Sequence, residues 1–570
     1  MENMNLWCVK ACWGNYTFDY AHSDSVGNSG GILCIWDPNS FHKDNVTVSD
    51  FFIIIRGTWL KSGVNILMVA VYAPHDLRDK RILWDYLEYV INRWDDEVII
   101  MGDFNEVRRK SERFGSAFNV QGADMFNTFI ANAGLEEIPL GGSSFTWCHK
   151  SATKMSKLDR FLISENLFNS FLDICAISLD RFLSDHRPIL LRESNHDYGK
   201  IPFRYFNHWV ELDGFNTFVT DTWNSAPVES NTMRNVIQKF KFLKGKIREW
   251  LKVNKSKNIY NFGILKEEIK KIDAEIDNGL ASDTTINRRM EVLNSIQHLD
   301  KIQAMDIGQK AKVKWAIEGD ENSQYFHGIL NKKRSQSNIR GIMVDGKWQD
   351  NPKIVKSEFL LHFRKRFERP SDNRIFLDMN FPKTISLDQQ TELESAVSKE
   401  EVKKAVWDCG SDKSPGPDGF SFGFYRKFWS CIENDVFAAV NYFFTFGDIP
   451  KGCNLCFIAL IPKVHDATLV KDFKPISIIG SIYKIIAKIL ANRLVSVLGD
   501  IVNEVQSAFI SDRQILDGPF ILNEVIQWCK SKKRQSLIFK VDFEKAYDSV
   551  RWDFLDDVLK KFGFGNKWCD

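Results

Sequence analysis

Four short motifs put carboxylate, amide or phenol groups at the ends of apolar runs. Tyr72 closes the run Val64–Tyr72, and Gly102-Asp103-Phe104-Asn105 follows the run from Val98 to Met101. Lys157-Leu158-Asp159 opens another run, and Ser184-Asp185-His186 precedes Arg187-Pro188 and a last one. Loops at strand ends are where a rigid sheet holds reactive groups. The set suits phosphodiester hydrolysis. One carboxylate can hold Mg²⁺, which takes oxygen ligands. A second can deprotonate or aim a water, and a His oriented by an Asp can act on the scissile phosphate. An amide such as that of Asn105 can fix an oxygen of the transition state. Singly each motif is weak, because Gly-Asp at a strand end is usually a turn and Ser-Asp-His can be an Asx turn.

A second group lies near the end of the chain. Phe539-Lys540-Val541-Asp542 sets an Asp at the end of Leu537–Val541, which reads as a buried strand. Two-metal phosphoryl transfer needs such an Asp with further carboxylates beside it. Ahead of it come, in order, Ser414-Pro415-Gly416-Pro417-Asp418-Gly419, Ala459 to Lys463, Asp472 to Ser477, Tyr483 to Leu494, Gln506 to Phe509, and Arg513-Gln514. The pair Cys453 and Cys456 has CxxC spacing but no second CxxC or His pair nearby, which makes it structural rather than zinc-binding.

The elements that must position these residues follow from periodicity. From Gly30 to about Glu193 strands alternate with a few helices. Gly31–Trp36, Phe51–Arg56, Val64–Tyr72, Val98–Met101, Ser144–Cys148, Leu158–Ser164 and Pro188–Leu191 read as strands. Asp79–Trp94 shows a helical face at Ile82, Leu83, Tyr86, Leu87, Val90 and Ile91, and Ala123–Ala133 is a second helix stopped at Gly134. From Ser194 to about Glu400 the texture turns polar and helical. Ile264–Ile276 and Thr285–Ile307 form a long pair broken at Asn278-Gly279. Basic clusters follow at Lys310, Lys312, Lys314 and at Lys332, Lys333, Arg334; such runs alone read as a solvated helix face, and the interleaved Trp315, Tyr325 and Phe326 add the alternative of a surface that binds nucleic acid. From Ser398 the chain is compact again: helices at Glu400–Asp408, Ile482–Leu498 and Trp552–Phe562, and a strand at Leu455–Pro462. Three segments result: 1–193, 194–397 and 398–570.

The 570 residues are 44% hydrophobic and 26% charged, which excludes wholesale disorder. A net charge of only +2 means that nucleic-acid binding must come from local patches. The odd total of 11 Cys, no signal peptide after Met1-Glu2-Asn3 and no bilayer-length apolar run point to a reducing intracellular compartment, with no membrane partner.

In their order, Tyr72, Gly-Asp-Phe-Asn, Ser144 to Trp147, Lys157 to Ser164 and Ser184 to Leu190 resemble the endonuclease/exonuclease/phosphatase family. The likeness is nearest to the apurinic-type endonucleases of LINE-type (non-LTR) retrotransposons. It spans about Ser25 to Leu191, including the glycine-rich Gly27 to Gly31. The resemblance implies that Asp103 activates the water, Asn105 orients it or the phosphate, and Tyr72 and Thr146 contact the phosphate region. It implies that Asp159 orients His186, that His186 meets the scissile phosphate, and that Asp185 sits at or near Mg²⁺. The family's Asn-bearing first strand and metal-binding Glu have no match, and Glu2 does not take that role; the chain is expected to be truncated there.

The segments from Ser414 through Phe543-Glu544-Lys545-Ala546-Tyr547-Asp548 resemble the fingers and first palm motif of reverse transcriptases of the plant-like non-LTR group. This implies metal binding by Asp542, a sugar gate at Tyr547, and a template and nucleotide path at Lys463 and Arg513. Lys474 stands where the family has Arg, a point charge in place of a fork, so triphosphate contact is weaker. Further palm carboxylates would lie beyond Asp570.

The implied fold is α/β (α+β): a two-sheet sandwich, a helical linker, and a partial fingers and palm. The implied protein is a Mg²⁺-dependent endonuclease, Mn²⁺ substituting, joined to an RNA-directed DNA polymerase. Its partners are a DNA target, an RNA template and deoxynucleotides, and its location is the nucleus and cytoplasm. The chain alone is expected to be inactive. The alternative is a non-catalytic nucleic-acid-binding remnant of a decayed element.

Overall fold

The structure, a computed structural model, describes all residues except 1–5, 15–16, 26–29, 172, 195–196, 280–281, 312–337, 370–373, 375, 465, 511–512, 544–549 and 570. The chain forms two units. The first holds Met1–Lys200, Lys310–Phe367 and Leu460–Pro475; the second holds Ile201–Gln309, Glu368–Ala459 and Ile476–Asp570.

The first unit is built on a six-stranded sheet. Its strands are β1 (Phe41–Val48), β2 (Phe52–Trp59), β3 (Val64–Tyr72), β4 (Glu97–Asp103), β5 (Leu135–Glu137) and β6 (Asp159–Ser164), in the spatial order β1-β2-β3-β4-β6-β5. Only β3 and β4 run parallel, joined through helix α1 (Leu77–Ile91). Parallel neighbours need a crossover, and their strands are apolar on both faces. Leu67, Val69 and Val71 of β3 pack with Leu83, Trp84 and Leu87 of α1 and with Phe126 and Phe129 of α2 (Val120–Asn132). Phe161 and Ile163 of β6 face the other way, into a core with Leu140, Ala176 and Leu191. Those residues belong to a three-stranded sheet of Leu140–Gly141, Ile174–Ser178 and Ile189–Glu193. The result is the sandwich expected from the sequence, with helices on its outer face.

Two readings of pattern differ here. In α1 the buried stripe is Leu83, Trp84, Leu87 and Ile91, whereas Ile82 and Tyr86 point to solvent. Strand β1 (Phe-His-Lys-Asp-Asn-Val-Thr-Val) gives no sequence signal, because it is an edge strand whose alternation is broken by a bulge between Lys43 and Asn45.

An ionic cluster lies inside this unit. The fully buried Arg160 guanidinium donates to Glu112 at 2.6 Å and to Glu137 at 2.7 Å. The buried Lys157 ammonium lies 2.9 Å from Glu137 and 2.8 Å from Asp466. Burial alone pushes the Glu137 carboxyl up, but Arg160, Lys157 and Arg108 outweigh it and hold it well below the usual range. Breaking a buried pair strands the partner charge, so Arg160→Met is expected to cost about 3–5 kcal/mol of stability in urea unfolding. A loss below about 1 kcal/mol, the scale of exposed pairs, is the contrary result.

The second unit is mainly helical. Helices α3 (Phe215–Asn224) and α4 (Thr232–Asp277) share one core with Lys399–Asp408, Trp429–Phe446 and Ser481–Ile501. Trp223, Phe240, Leu243 and Ile247 pack there with Val402, Phe420, Phe424, Val436 and Ile485. The Trp223 indole donates to Asp435 at 2.9 Å. Helix α4 ends at Asn278, and Gly279 has φ +75°, the left-handed stop that the Asn-Gly pair predicts. In the Pro-Gly turn, a Cβ on Gly416 would meet the Ile479 carbonyl oxygen at 2.2 Å, and Asp418 accepts from the Ser481 backbone N–H at 2.6 Å.

Leu537–Val541 is a correction. It forms no strand, and Leu537 and Phe539 are 94% and 85% exposed. An apolar run becomes a buried strand only with neighbours to complete its ladder, and among the described residues none pairs with it.

Candidate active site

Strand register builds the site. Parallel pairing sets Tyr72 beside Asp103, and antiparallel pairing sets Asp159 opposite Asp103. Three residues from three strands thus share one row at one edge of the sheet. A slip of one residue would turn each side chain to the other face. Gly102 permits the close approach: its φ is +131°, and a Cβ there would lie 2.0 Å from the Val71 carbonyl oxygen.

Beyond Asp103 the chain turns sharply. Asn105 adopts φ +46°, a conformation that Asn tolerates better than most residues. Its backbone N–H donates to Asp103 Oδ1 at 2.8 Å, and its amide Nδ2 donates to the Ala73 carbonyl at 2.6 Å. Buried Lys80, paired with Glu106 at 2.9 Å, donates to the Asn105 carbonyl at 2.7 Å.

His186 enters from the second sheet. Its Nδ1 lies 2.8 Å from Asp159 Oδ2, and its Nε2 lies 3.8 Å from Asp103 Oδ2. Thr146 is fully buried, and its hydroxyl accepts from the backbone N–H groups of Leu158 and Asp159 at 2.9 and 3.0 Å. Its carbonyl accepts from Arg187 N–H at 2.7 Å. Thr146 therefore ties Asp159 and His186 to one point. The Trp147 indole donates to Asp185 Oδ2 at 2.9 Å.

The electrostatics follow. Burial, then the Asp159 charge, pushes the Asp103 carboxyl up to about 6, against the pull of the Asn105 N–H, His186 and His75. Burial disfavours the charged form of His186, but the hydrogen bond to Asp159 and the charges of Asp159, Asp103 and Asp185 outweigh it and raise its pKa. Burial, with Asp103 and Asp185, raises Tyr72. Burial raises the Asp185 carboxyl, but the hydrogen bonds from Trp147, its own backbone N–H and Ser184, with the His186 charge, together outweigh it and lower its pKa. Crowded carboxylates of this kind suit a hard cation. Among the described residues no group of three or more His, Cys, Asp or Glu is arranged to hold a metal ion.

The structure thus brings together Tyr72, Asp103, Asn105, Asp159, Asp185 and His186. Sequence reasoning gave no role to His75, to Trp147 as the anchor of Asp185, or to the Lys80–Glu106 pair; the only available signal was their position beside the motifs. In the first unit, Lys463 and Lys474 are exposed, and Lys463 Nζ donates to the Lys471 carbonyl at 3.0 Å. In the second unit, Arg513 donates to the carbonyls of Asn503 and Gln506 at 2.7 Å and of Val502 at 3.2 Å, bracing the turn after Ser481–Ile501. Asp542 is exposed. Tyr547, Gly27 to Ser29, and Lys312, Lys314, Trp315, Tyr325, Phe326, Lys332, Lys333 and Arg334 lie outside the described residues, as does the side chain of Lys310. Cys453 and Cys456 are free thiols.

Family models match two parts of the chain. Residues 66–190 match a family described as endonuclease-reverse transcriptase, and residues 461–570 match one described as reverse transcriptase (RNA-dependent DNA polymerase). An uncharacterized 149 kDa protein of transposon TX1 from Xenopus laevis is 24% identical over 526 residues, 89% of this chain and 40% of that protein. Both matched parts resemble those of LINE-type (non-LTR) retrotransposon endonuclease/reverse-transcriptase proteins. A Pol polyprotein of the type-2 retrotransposable element R2DM from Drosophila melanogaster is 27% identical over 176 residues, 31% of this chain and 16% of the polyprotein. The chain thus spans less than half the length of these relatives. Among solved structures, the endonuclease domain of TRAS1, a telomere-specific non-LTR retrotransposon, covers 32% of the chain at 15% identity with a TM-score of 0.24, over 84% of its own length. An AP endonuclease from Leishmania major covers 30% at 13% identity with a TM-score of 0.27, over 69% of its length. Among the described residues no helix is long and apolar enough to cross a membrane.

Proposed function

We propose that the protein nicks a DNA target and that its polymerase part copies an RNA template from the freed 3′ end. The observation that carries the nuclease reading is the Asp159–His186–Asp103 row. Asp159 accepts from His186 Nδ1–H, which fixes the tautomer and turns Nε2 toward Asp103 and the cleft. There Nε2–H donates to a non-bridging phosphate oxygen. Asp103, with a pKa of about 6, is mostly ionised at neutral pH yet basic enough to take a proton from water. The water oxygen bonds to phosphorus, its proton goes to Asp103, the P–O3′ bond breaks, and O3′ takes a proton from solvent water, leaving a 3′-hydroxyl and a 5′-phosphate. Asn105 orients the water or the phosphate, Tyr72 contacts the phosphate region, and Thr146 acts beneath them by holding Asp159. Asp185 would hold a divalent cation, Mg²⁺ with Mn²⁺ as its substitute, which would supply positive charge at the phosphate.

In the polymerase part Asp542 would hold a metal ion, and the roles that the resemblance implies are contact with the deoxynucleotide sugar for Tyr547 and contact with template or nucleotide for Lys463, Lys474 and Arg513. A protein with these substrates is made in the cytoplasm and acts in the nucleus. The test is to incubate the chain with supercoiled plasmid and Mg²⁺, alone and extended at its N-terminus by the family's first strand and metal-binding Glu. The chain alone is expected to leave the supercoils intact. The extended protein is expected to give open circles whose 3′ ends an unrelated polymerase extends directly, and chelator should stop their formation. Intact supercoils with the extended protein, or nicks ending in 3′-phosphate, reject the reading.

A further inference from the structure

The loop that delivers Asp185 and His186 carries two large apolar side chains that pack on nothing. Phe182 and Leu183 are 90% and 92% exposed. Their loop joins the strands Ile174–Ser178 and Ile189–Glu193 and is braced at its base. Leu179 N–H donates to the Pro188 carbonyl at 2.8 Å, and Arg187 Nη1 donates to the Leu179 carbonyl at 3.1 Å. It is braced across its middle as well: Arg181 Nε donates to the Asp185 carbonyl at 3.1 Å, and His186 N–H donates to Ser184 Oγ at 3.0 Å. The tip is thus a projection on a fixed frame.

We infer that Phe182 and Leu183 form an apolar wedge that enters a base step of duplex DNA beside the scissile phosphate. The inference rests on the endonuclease reading above. Leu183 is two residues from Asp185, so their Cα atoms lie within about 8 Å. Successive phosphates advance about 3.4 Å along the duplex axis, which puts the wedge within about two or three base steps of the cut. Phe and Leu are among the side chains that unstack such steps, and pyrimidine–purine steps yield to them most easily. The wedge favours cutting where the duplex opens and adds a preference that no hydrogen-bonding side chain need supply.

The experiment uses the whole chain and short duplexes with 2-aminopurine at a central T–purine step, or in an A-tract as the stiff control. Fluorescence reports unstacking, and anisotropy of the same duplex reports binding, so neither readout requires cleavage. The expected result is a fluorescence rise at the flexible step, retained in His186→Ala. In the double variant Phe182→Ala/Leu183→Ala the rise should vanish, with duplex affinity down about tenfold. Phe182→Leu/Leu183→Met should restore both, and an unchanged melting temperature confirms that the surface variants fold. Duplex binding with an equal rise in the Ala double variant overturns the wedge and assigns the pair to a protein contact. Binding by the native chain with no rise at either step also overturns it, while leaving the nuclease reading intact. No duplex binding by the native chain rejects the nuclease reading itself.

Discussion

In the protein extended by the family's first strand and metal-binding Glu, replacing His186 by Ala is expected to lower plasmid nicking about 10³-fold, the upper end of what losing one transition-state hydrogen-bond donor costs. His186 is the only part of the row that reaches in from the second sheet, and its Nε2 stands 3.8 Å from Asp103 with Nδ1 held by Asp159. Alanine removes the donor to the phosphate and leaves the two carboxylates facing each other without a counter-charge. Asp159→Asn keeps the shape but removes one negative charge, and it has a separate signature in pH. The Asp159 charge is the largest influence after burial that raises Asp103. Without it the Asp103 pKa falls, so the acid limb of the rate profile should move from near 6 to lower pH. Rates at saturating plasmid, measured from pH 5 to 8, check both. Nicking by His186→Ala within tenfold of the parent, or an acid limb that stays in place in Asp159→Asn, sinks these roles.

Asp103→Asn should abolish nicking and yet make the protein more stable. Asp103 is buried, and its pKa rises from 3.8 to about 6 on folding. Between those values the folded chain binds the proton and the unfolded chain does not, so stability falls as pH rises through that window. The shift of about two units corresponds to about 3 kcal/mol, absent below pH 4 and fully developed above pH 6. Asparagine carries no charge and can still accept from the Asn105 N–H. Urea unfolding should therefore show Asp103→Asn about 3 kcal/mol more stable than the parent at pH 8 and equal to it near pH 4. Equal stability at both values would mean that the site does not strain the carboxylate. A catalytic group held at the expense of stability is common where a site needs a base of raised pKa.

Several elements were legible from composition and spacing. Val64–Tyr72 is a strand over the residues that its apolar run marks, because a strand buried on both faces writes itself as an unbroken run. The Asn278-Gly279 break between the long helices is where the structure puts it, because few residues other than Asn and Gly take a left-handed stop readily. Strand β1 was hidden by its polar edge. The first half of α4 was hidden because its apolar stripe at Phe240, Leu243 and Ile247 is diluted by Lys and Arg on the outer face.

By itself the sequence placed Tyr72, Asp103, Asp159 and Asp185-His186 at or near the ends of apolar runs, since residue type and run length are local properties. Only the tertiary structure decided that Tyr72, Asp103 and Asp159 form one row, that Thr146 turns its hydroxyl inward to hold Asp159, and that Phe182 and Leu183 stay in water beside His186. It also decided that Leu537–Val541, as apolar as the strands of the sheet, has no ladder to join. Register, burial and pairing belong to contacts between segments far apart in the chain, and a hydrophobic pattern records what a segment can bury without recording its partner.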